Sequence, residues 1–156
     1  MKTLLDWLTV KLLKRLRPGF LPEPIFFEMQ RINHQLSVEL LMYKGMGKHK
    51  KYCLVKRRVD DKFWPSKYHI PGTMVRGNET VKKAIERLFL DDFSSFKPVE
   101  AELFDVYTAE TKRGTITHLL YKARYVKGNG EVGLFYSKDE LPGNMINYHR
   151  KLIQNL

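Results

Sequence analysis

The amino-acid sequence predicts a single mixed α/β domain preceded by a basic amphipathic helix, and three observations support this fold class. Two pairs of strand-like segments are each joined by a turn that contains glycine. An amphipathic helical segment lies between the two pairs, and a second one ends the sequence. At 156 residues, one such domain is long enough to bury a substantial core. We therefore assign residues 1–20 to the first helix and residues 21–156 to one domain.

The first segment, MKTLLDWLTVKLLKRLRPGF, has the leucine spacing of a helix, which Pro18 and Gly19 end. Its apolar positions include Leu4, Leu5, Leu8, Leu12 and Leu16. The preferred interpretation is that this helix docks on the domain or on the second subunit of a homodimer. A basic amphipathic helix can also lie on an anionic membrane surface, so peripheral membrane contact is the alternative. Asp6, Lys11 and Lys14 interrupt the apolar run, which argues against a secretion signal.

Strand-like segments alternate with turns along most of the domain. After LPEPIFF, whose two prolines predict an extended chain, the predicted strands cover residues 36–43, 52–58, 101–110, 117–126 and 133–136. Gly45 and Gly47 supply the first turn, and Lys112-Arg113-Gly114 links the second pair of strands. The final helix is expected to begin near Asn144 and to place along one face Met145, Tyr148, Leu152 and Leu156.

The composition limits both the compartment and the class of partner. No apolar run approaches the ~20 residues of a membrane-spanning helix. The single cysteine, Cys53, excludes an internal disulfide and a zinc cluster built on cysteines, which predicts a cytoplasmic protein. The formal charge of +11 predicts an anionic partner such as a nucleotide. A nucleic acid ranks last among these partners, because the aromatic strand signature of common RNA-binding domains is absent.

Residues 68–93, YHIPGTMVRGNETVKKAIERLFLDDF, combine a loop that contains Pro-Gly with a helix that carries an arginine and two adjacent aspartates. This stretch resembles the Nudix box, G-x5-E-x7-R-E-U-x-E-E-x-G-U, in which U is a bulky aliphatic residue. The matching positions are Gly72 in the lead-in, Thr73 at the first glycine, Glu79, Arg87, and Asp91 with Asp92 at the glutamate pair. The resemblance covers roughly residues 36–142.

This resemblance implies a Nudix fold, in which a mixed β-sheet lies between helices, and a site that holds Mg²⁺ or Mn²⁺. By the same resemblance Asp91, Asp92 and the Thr73 carbonyl are metal ligands, since hard cations bind oxygen atoms. Arg87 would orient the acids, and Glu79 would tie the loop to the helix. The metal would neutralise phosphate charge and could activate a water molecule.

Two departures from the family pattern are informative. Leu88 replaces the glutamate that follows the box arginine, so one metal ligand or base is missing. The branch similar to GDP-mannose mannosyl hydrolase also has leucine there, and the strand TITHLLY at 115–121 is similar to a strand of that branch. That branch takes its base from a Gln-His pair, where this sequence has Asn129-Gly130-Glu131. Asn129 is therefore a candidate metal ligand, and Glu131 is the candidate catalytic base.

Several residues outside the box are candidates for contact with a substrate. Arg57 and Arg58 could clamp a diphosphate through their planar guanidinium groups, and a basic strand edge is the alternative. Trp64 and Tyr68 flank the loop and could stack on a base, although aromatic residues there more often pack. His118 is interpreted as a hydrogen-bonded core residue rather than a catalytic one. No metal-ligand spacing relates the scattered histidines His34, His49 and His149.

The residues and the resemblance together predict a Mg²⁺-dependent hydrolase of a nucleoside diphosphate linked to another group. A nucleotide sugar such as GDP-mannose is the preferred substrate. The alternative is a Nudix-like nucleotide-binding module that has lost catalysis, since Leu88 and Gly130 stand where reactive residues are expected. In both cases the partner is a small molecule. The leaving group, and whether carbon or phosphorus is attacked, stay open.

Overall fold

The computed structural model describes residues 3–16, 21–92, 101–125 and 133–156. The helices are α1 (Leu4–Leu13), α2 (Glu23–Ile32), α3 (Val81–Asp92) and α4 (Asn147–Gln154). The strands are β1 (Gln35–Lys44), β2 (Lys51–Lys56), β3 (Tyr68–His69), β4 (Gly72–Met74), β5 (Glu102–Thr111), β6 (Gly114–Arg124) and β7 (Leu134–Tyr136). Short 3₁₀ turns cover Gly47–His49 and Lys138–Glu140.

The strands form one mixed sheet in the order β3-β2-β1-β6-β5, with β4 also paired to β1 and β7 paired to β2. The β1 and β6 strands run parallel, from Gln35 opposite Ile116 to Tyr43 opposite Arg124. The other named strand pairs are antiparallel. The mixed α/β fold predicted from the sequence is confirmed, and so are the two hairpins β1–β2 and β5–β6.

Alternating side chains of β1 contribute to two hydrophobic clusters, as the twofold repeat of a strand requires. One cluster includes helix α3 and consists of Leu40, Met42, Cys53, Leu88, Phe89 and Ala123. The other includes helix α4 and consists of Leu41, Tyr52, Leu54, Ile70, Leu120, Leu141, Met145 and Ile153. The sheet therefore lies between α3 on one face and α4 on the other.

Helix α2 corrects the prediction that LPEPIFF is extended. The helix begins at Glu23, with Pro22 as its N-cap residue and Pro24 in its first turn. The first-turn amides of a helix have no partner within the helix, so a proline there costs no hydrogen bond. Prolines at these positions are therefore compatible with a helix.

The C-terminal helix begins at Asn147 rather than near Asn144. Met145 forms a parallel bridge with Tyr68, and the Ile146 amide donates to the Tyr68 carbonyl at 2.9 Å, so this segment belongs to the sheet edge. Within the helix, the side chains that are buried are those of His149 and Ile153. Of the residues predicted for one face, Met145 is buried and Leu152 packs against the same cluster, whereas Leu156 is exposed.

The first helix has the predicted position, and a capping box between Thr3 and Asp6 begins it. None of its residues is buried, and Leu4 is 74% exposed. The expectation that α1 docks on its own domain is therefore wrong, whereas contact with a second subunit stays a prediction. Among the described residues, no helix is long and apolar enough to cross a membrane.

Candidate functional site

A cavity of about 900 Å³ opens between helix α2, the strands β1, β4 and β6, and the segment that follows β2. Its volume lies within the range of pockets that bind small molecules. The wall contains polar groups from distant parts of the chain, which include Ser37, Glu39, Arg57, His69, Arg76, Arg87, Arg113, His118, Tyr148 and His149. The aromatic rings of the wall come from Phe26, Phe27 and Trp64.

Arg87 of α3 connects the helix to the loop that precedes it. Its Nε and Nη2 atoms each lie 2.9 Å from a different oxygen of Glu79. Its remaining donors reach the Thr73 hydroxyl at 2.7 Å and the Met74 carbonyl at 2.8 Å. The Arg76 amide donates to the same Glu79 carboxylate at 2.9 Å. The loop and the helix are therefore held together by one guanidinium group.

This ion pair fixes the charge state of both partners. Hydrogen bonds from Arg87 lower the pKa of Glu79 to about 2, although partial burial acts in the opposite direction. The same carboxylate raises the pKa of Arg87 above its usual value. Both groups are therefore ionised at neutral pH.

The predicted metal ligands are only partly described. The Asp91 carboxylate is 62% exposed and lies 3.9 Å from Arg87, so it is open to a cation. The side chain of Asp92, and all of Asn129 and Glu131, lie outside the described residues. Thr73 lies in β4 opposite Val38, and its hydroxyl accepts the hydrogen bond from Arg87. Oxygen donors suit Mg²⁺, but the described part of the chain contains no group of three ligands for a metal.

Two further positions of the box have structural roles. A side chain at Gly72 would bring its Cβ to 3.0 Å from the Val38 carbonyl oxygen, so a larger residue here requires a small shift of β1 or β4. Leu88, at the position of the missing glutamate, is 2% exposed and packs in the core with Phe89. The helix therefore uses this position for packing.

Two arginine side chains share one carboxylate in the cavity wall. Arg57 donates to Asp61 at 2.9 Å, and Arg113 lies 3.6 Å from the same oxygen. The other oxygen of Asp61 accepts from the backbone amides of Phe63 and Trp64. Within the described residues, the buried Nε atoms of both arginines have no hydrogen-bond partner. Burial, and then the charge of Arg57, lower the pKa of Arg113. The two arginines therefore carry more positive charge than the Asp61 carboxylate neutralises.

Arg58 does not share this position. Its side chain is 85% exposed and pairs with Asp60, and it is not one of the residues that line the cavity. Successive residues of an extended chain point in opposite directions, so two adjacent arginines rarely face one site. The partner of Arg57 is Arg113, from the turn between β5 and β6, which the sequence analysis treated only as part of a turn.

Trp64 lies in the cavity wall beside both arginines. The ring centroid is 5.4 Å from the guanidinium carbon of Arg57 and 5.1 Å from that of Arg113. Tyr68, the other predicted stacking residue, instead packs edge-on against Tyr136 at 5.8 Å. Trp64 is therefore the better placed of the two aromatic candidates.

A buried carboxylate, Glu39, lines the cavity and was not predicted from the sequence. One of its oxygens is 2.9 Å from His118 Nδ1 and 2.8 Å from His149 Nε2, and the other accepts from the Tyr107 hydroxyl at 2.6 Å. Burial opposes its ionisation, but the electrostatic contacts and hydrogen bonds with His149 and His118 hold its pKa well below the usual range. Glu39 is the charged residue within the apolar run LSVELLMY. A carboxylate in a predicted core strand is the sequence feature that could have indicated a buried functional group.

The histidines around Glu39 differ in their environments. His118 is hydrogen-bonded in the core as predicted, yet it also lines the cavity. His149, for which the sequence shows no metal-ligand spacing, contacts Glu39 directly. Burial, and then the positive charge of Arg57, lower the pKa of His69 to about 3, so that ring is neutral. His34 is exposed and contacts Thr117 instead.

No protein-family model matches the chain, and no curated protein sequence matches it. Solved structures do match. A MutT protein from Methanosarcina mazei is 15% identical, with a TM-score of 0.63, over 78% of this chain and 91% of that one. A MutT Nudix hydrolase from Burkholderia pseudomallei is 15% identical, with a TM-score of 0.62, over 80% of this chain and 98% of that one.

The Nudix domain of Shewanella oneidensis NrtR, solved in complex with ADP ribose, is similar over more of the chain. It is 14% identical, with a TM-score of 0.62, over 93% of this chain and 94% of that one. At identities this low, the structural similarity establishes the architecture and leaves the activity open. Together with the sheet topology and the loop held by Arg87 and Glu79, they show that this chain has the Nudix fold.

Proposed function

We propose that this protein is a Nudix-type hydrolase that acts, with Mg²⁺ or Mn²⁺, on a nucleoside diphosphate linked to another group. A nucleotide sugar such as GDP-mannose is the first candidate substrate. The observation that carries this proposal is the arginine pair of the cavity, in which Arg57 and Arg113 share the single carboxylate of Asp61. Their buried Nε donors and their excess positive charge favour an anionic ligand.

The shape of the cavity supports a nucleotide rather than a simple anion. Its volume of about 900 Å³ is large enough for a base, a ribose and a diphosphate. The guanidinium groups of Arg57 and Arg113 lie over the Trp64 ring, and proteins commonly hold a base by stacking it on such a ring. The phosphates would then lie against Arg57 and Arg113 while the base stacks on Trp64.

The metal would belong to the box helix. Asp91, Asp92 and the Thr73 carbonyl would hold it, with Asn129 as a further ligand, and the bound ion would neutralise phosphate charge. Arg87 and Glu79 would keep the loop in place for this role, which their ion pair supports. Glu131 is the candidate base that the resemblance suggests.

A second candidate function is a nucleotide-binding module without catalysis. The burial of Leu88 favours it, because a core leucine replaces a metal-binding glutamate of the family. The NrtR domain, a similar structure, was solved in complex with such a ligand, ADP ribose. In this case the cavity would bind the same class of ligand and release it unchanged.

Turnover and binding measurements on one panel of ligands separate the two functions. The purified protein is incubated with Mg²⁺ or Mn²⁺ and with nucleoside diphosphate sugars, ADP ribose and nucleoside triphosphates, while calorimetry measures affinity. A hydrolase forms product from at least one of the nucleoside diphosphate derivatives, and ¹⁸O-labelled water shows whether carbon or phosphorus is attacked. Binding without product from any of them supports the module, and neither binding nor product overturns both.

A further inference from the structure

We propose that His118, held by the buried carboxylate of Glu39, is the group that takes the proton from the attacking water molecule. This inference rests on the hydrolysis proposed above and assigns its general base. The residues involved lie in β6 and β1, away from the box helix and from Glu131.

The protonation of the cluster follows from its hydrogen bonds. The Ile70 amide donates to His149 Nδ1 at 3.4 Å, so His149 carries its proton on Nε2 and donates to Glu39. His118 Nδ1 faces the same Glu39 oxygen at 2.9 Å, and the Ser37 hydroxyl is 2.8 Å from that nitrogen. Because the carboxylate can only accept, whereas the Ser37 hydroxyl can donate or accept, we assign the proton of His118 to Nδ1, where it faces Glu39. The lone pair of neutral His118 is therefore on Nε2.

The Nε2 atom of His118 is the unsatisfied member of this cluster. It is buried, and within the described residues it has no hydrogen-bond partner. Buried polar atoms in native proteins are almost always paired, so an exception calls for an explanation. The His118 residue belongs to the cavity lining, so the proposal requires that a water molecule or a substrate hydroxyl reach this atom from the cavity.

The ring is fixed in the orientation that this role needs. Tyr107 stacks on it at 4.7 Å with an angle of 13° between the rings, and Glu39 holds the opposite nitrogen. A carboxylate, an oriented imidazole and a free second nitrogen form the arrangement by which enzymes activate a weak nucleophile. Glu39 is the positioning residue in this arrangement, and His118 is the catalytic one.

The proposed step balances within the cavity. The oxygen of a water molecule forms a bond to the carbon or phosphorus atom under attack, and its proton passes to His118 Nε2. The bond from that atom to the bridging oxygen breaks, and the bridging oxygen keeps the electron pair. The imidazolium formed on His118 faces the Glu39 carboxylate, which stabilises it.

The groups that face His118 from the surrounding elements support this protonation change. They are Glu39 from β1, which also contacts His149, together with Tyr107 from β5 and Tyr148 from α4. Burial and the nearby Glu39 carboxylate raise the pKa of both tyrosines above the usual range, so they stay neutral. Glu39 is therefore the negative charge against which a proton on His118 is stabilised.

The test compares the pH dependence of kcat for the wild type, His118→Gln, Glu131→Gln and the control His34→Gln, on a substrate that the wild type turns over. His118→Gln should lower kcat by ~10²–10⁴-fold and remove the decline of activity at low pH, while its affinity for ADP ribose stays within about threefold. His34 is exposed and lies apart from the cavity, so its replacement should change neither property.

The Glu39→Gln variant tests whether Glu39 stabilises the protonated form of His118 or supports only the fold. Without the carboxylate, an imidazolium at His118 is less stable, so the decline of activity should move to lower pH. Melting temperatures show which variants are folded. If neither variant folds, ¹⁵N-histidine spectra of the wild type decide, because Nε2 of His118 must gain a proton over the pH range of the decline.

The outcomes distinguish this inference from the proposed function. If wild-type activity is present and His118→Gln retains the low-pH decline, or if Glu131→Gln alone removes it, His118 is not the base. If the histidine spectra show no change at His118 between about pH 5 and pH 9, the inference also fails. Bound ADP ribose with no turnover of any substrate overturns the hydrolase and this role together.

Discussion

The guanidinium group of Arg87 meets the carboxylate of Glu79 in a forked ion pair, with two nitrogen–oxygen distances of 2.9 Å. The same guanidinium reaches Thr73 and Met74, so one side chain joins a helix, a loop and a strand. Both partners are largely buried, at 18% and 13% exposure. The pair therefore organises one wall of the cavity before any ligand is present.

Replacing Arg87 with lysine should lower the free energy of unfolding by about 1–3 kcal/mol. Lysine keeps the charge but cannot form the two parallel bonds to Glu79, and it leaves buried acceptors without partners. Urea denaturation measures the change. Arg31→Lys is the matched control, because Arg31 pairs with Glu28 in an exposed position, where the loss should stay under about 0.5 kcal/mol. Equal losses in the two variants would contradict this account.

The stabilisation that Glu79 provides should disappear in acid. Its pKa is about 2 in the folded protein against 4.5 for the ordinary side chain. A lowered pKa means that the stabilisation is complete above pH 4.5 and is lost as the pH falls towards 2. The difference in unfolding free energy between the wild type and Glu79→Gln should therefore be largest near pH 7 and shrink between these values. A difference that does not depend on pH would refute the stabilising role of the ionised Glu79 carboxylate.

The fold could be predicted because its signals are local. Alternating apolar residues in LSVELLMY and THLLYKARYV predict strands from a few neighbours, and β1 and β6 are found there. Helix α2 was missed because the cost of proline depends on its position in the helix, and the start of that helix was not recognised. Rules based on neighbouring residues fail where the position of a residue relative to the start of a helix decides whether proline is tolerated.

The site was harder to predict, because its members meet only through the fold. Glu39 contacts His118 and His149 across separations of 79 and 110 residues, which no spacing rule reaches. Arg113 joins Arg57 in the same way, from a distant turn. By contrast, Glu79 and Arg87 belong to one continuous segment and could be read from the box. The sequence thus predicts the parts of a site that a single segment provides.

Replacing Arg113 should weaken nucleotide binding more than replacing Arg58. Arg113→Gln removes one of two cavity guanidinium groups, so the Kd for ADP ribose or GDP-mannose should rise by ~10–100-fold. Arg58→Gln removes the same charge from an exposed position outside the cavity and should change Kd by less than about threefold. Isothermal titration calorimetry at one salt concentration measures the Kd of both variants. Equal effects would indicate that net charge alone attracts the ligand.

Removing one predicted metal ligand should remove the response to Mg²⁺. Asp92→Asn replaces a carboxylate with a neutral amide, which binds a hard cation poorly, so Mg²⁺-dependent turnover should fall sharply. Where no turnover is found, the rise in melting temperature with Mg²⁺ and nucleotide serves as the readout. Asp139→Asn, at an exposed position outside the cavity, is the control. If millimolar Mg²⁺ or Mn²⁺ leaves the wild type unchanged even with nucleotide, the metal-dependent hydrolase is untenable.

Deleting residues 1–17 should change the oligomeric state and leave the stability of the domain intact. Helix α1 buries none of its residues, so its removal costs the domain no internal packing, and the melting temperature should stay within about 2 °C. Its exposed apolar side chains, among them Leu5 and Trp7, are the surface that a second subunit would cover. Light scattering coupled to size-exclusion chromatography should therefore detect a dimer for the full chain and a monomer for the truncated one. If both are monomeric and only the full chain sediments with anionic vesicles, the helix is a membrane contact instead.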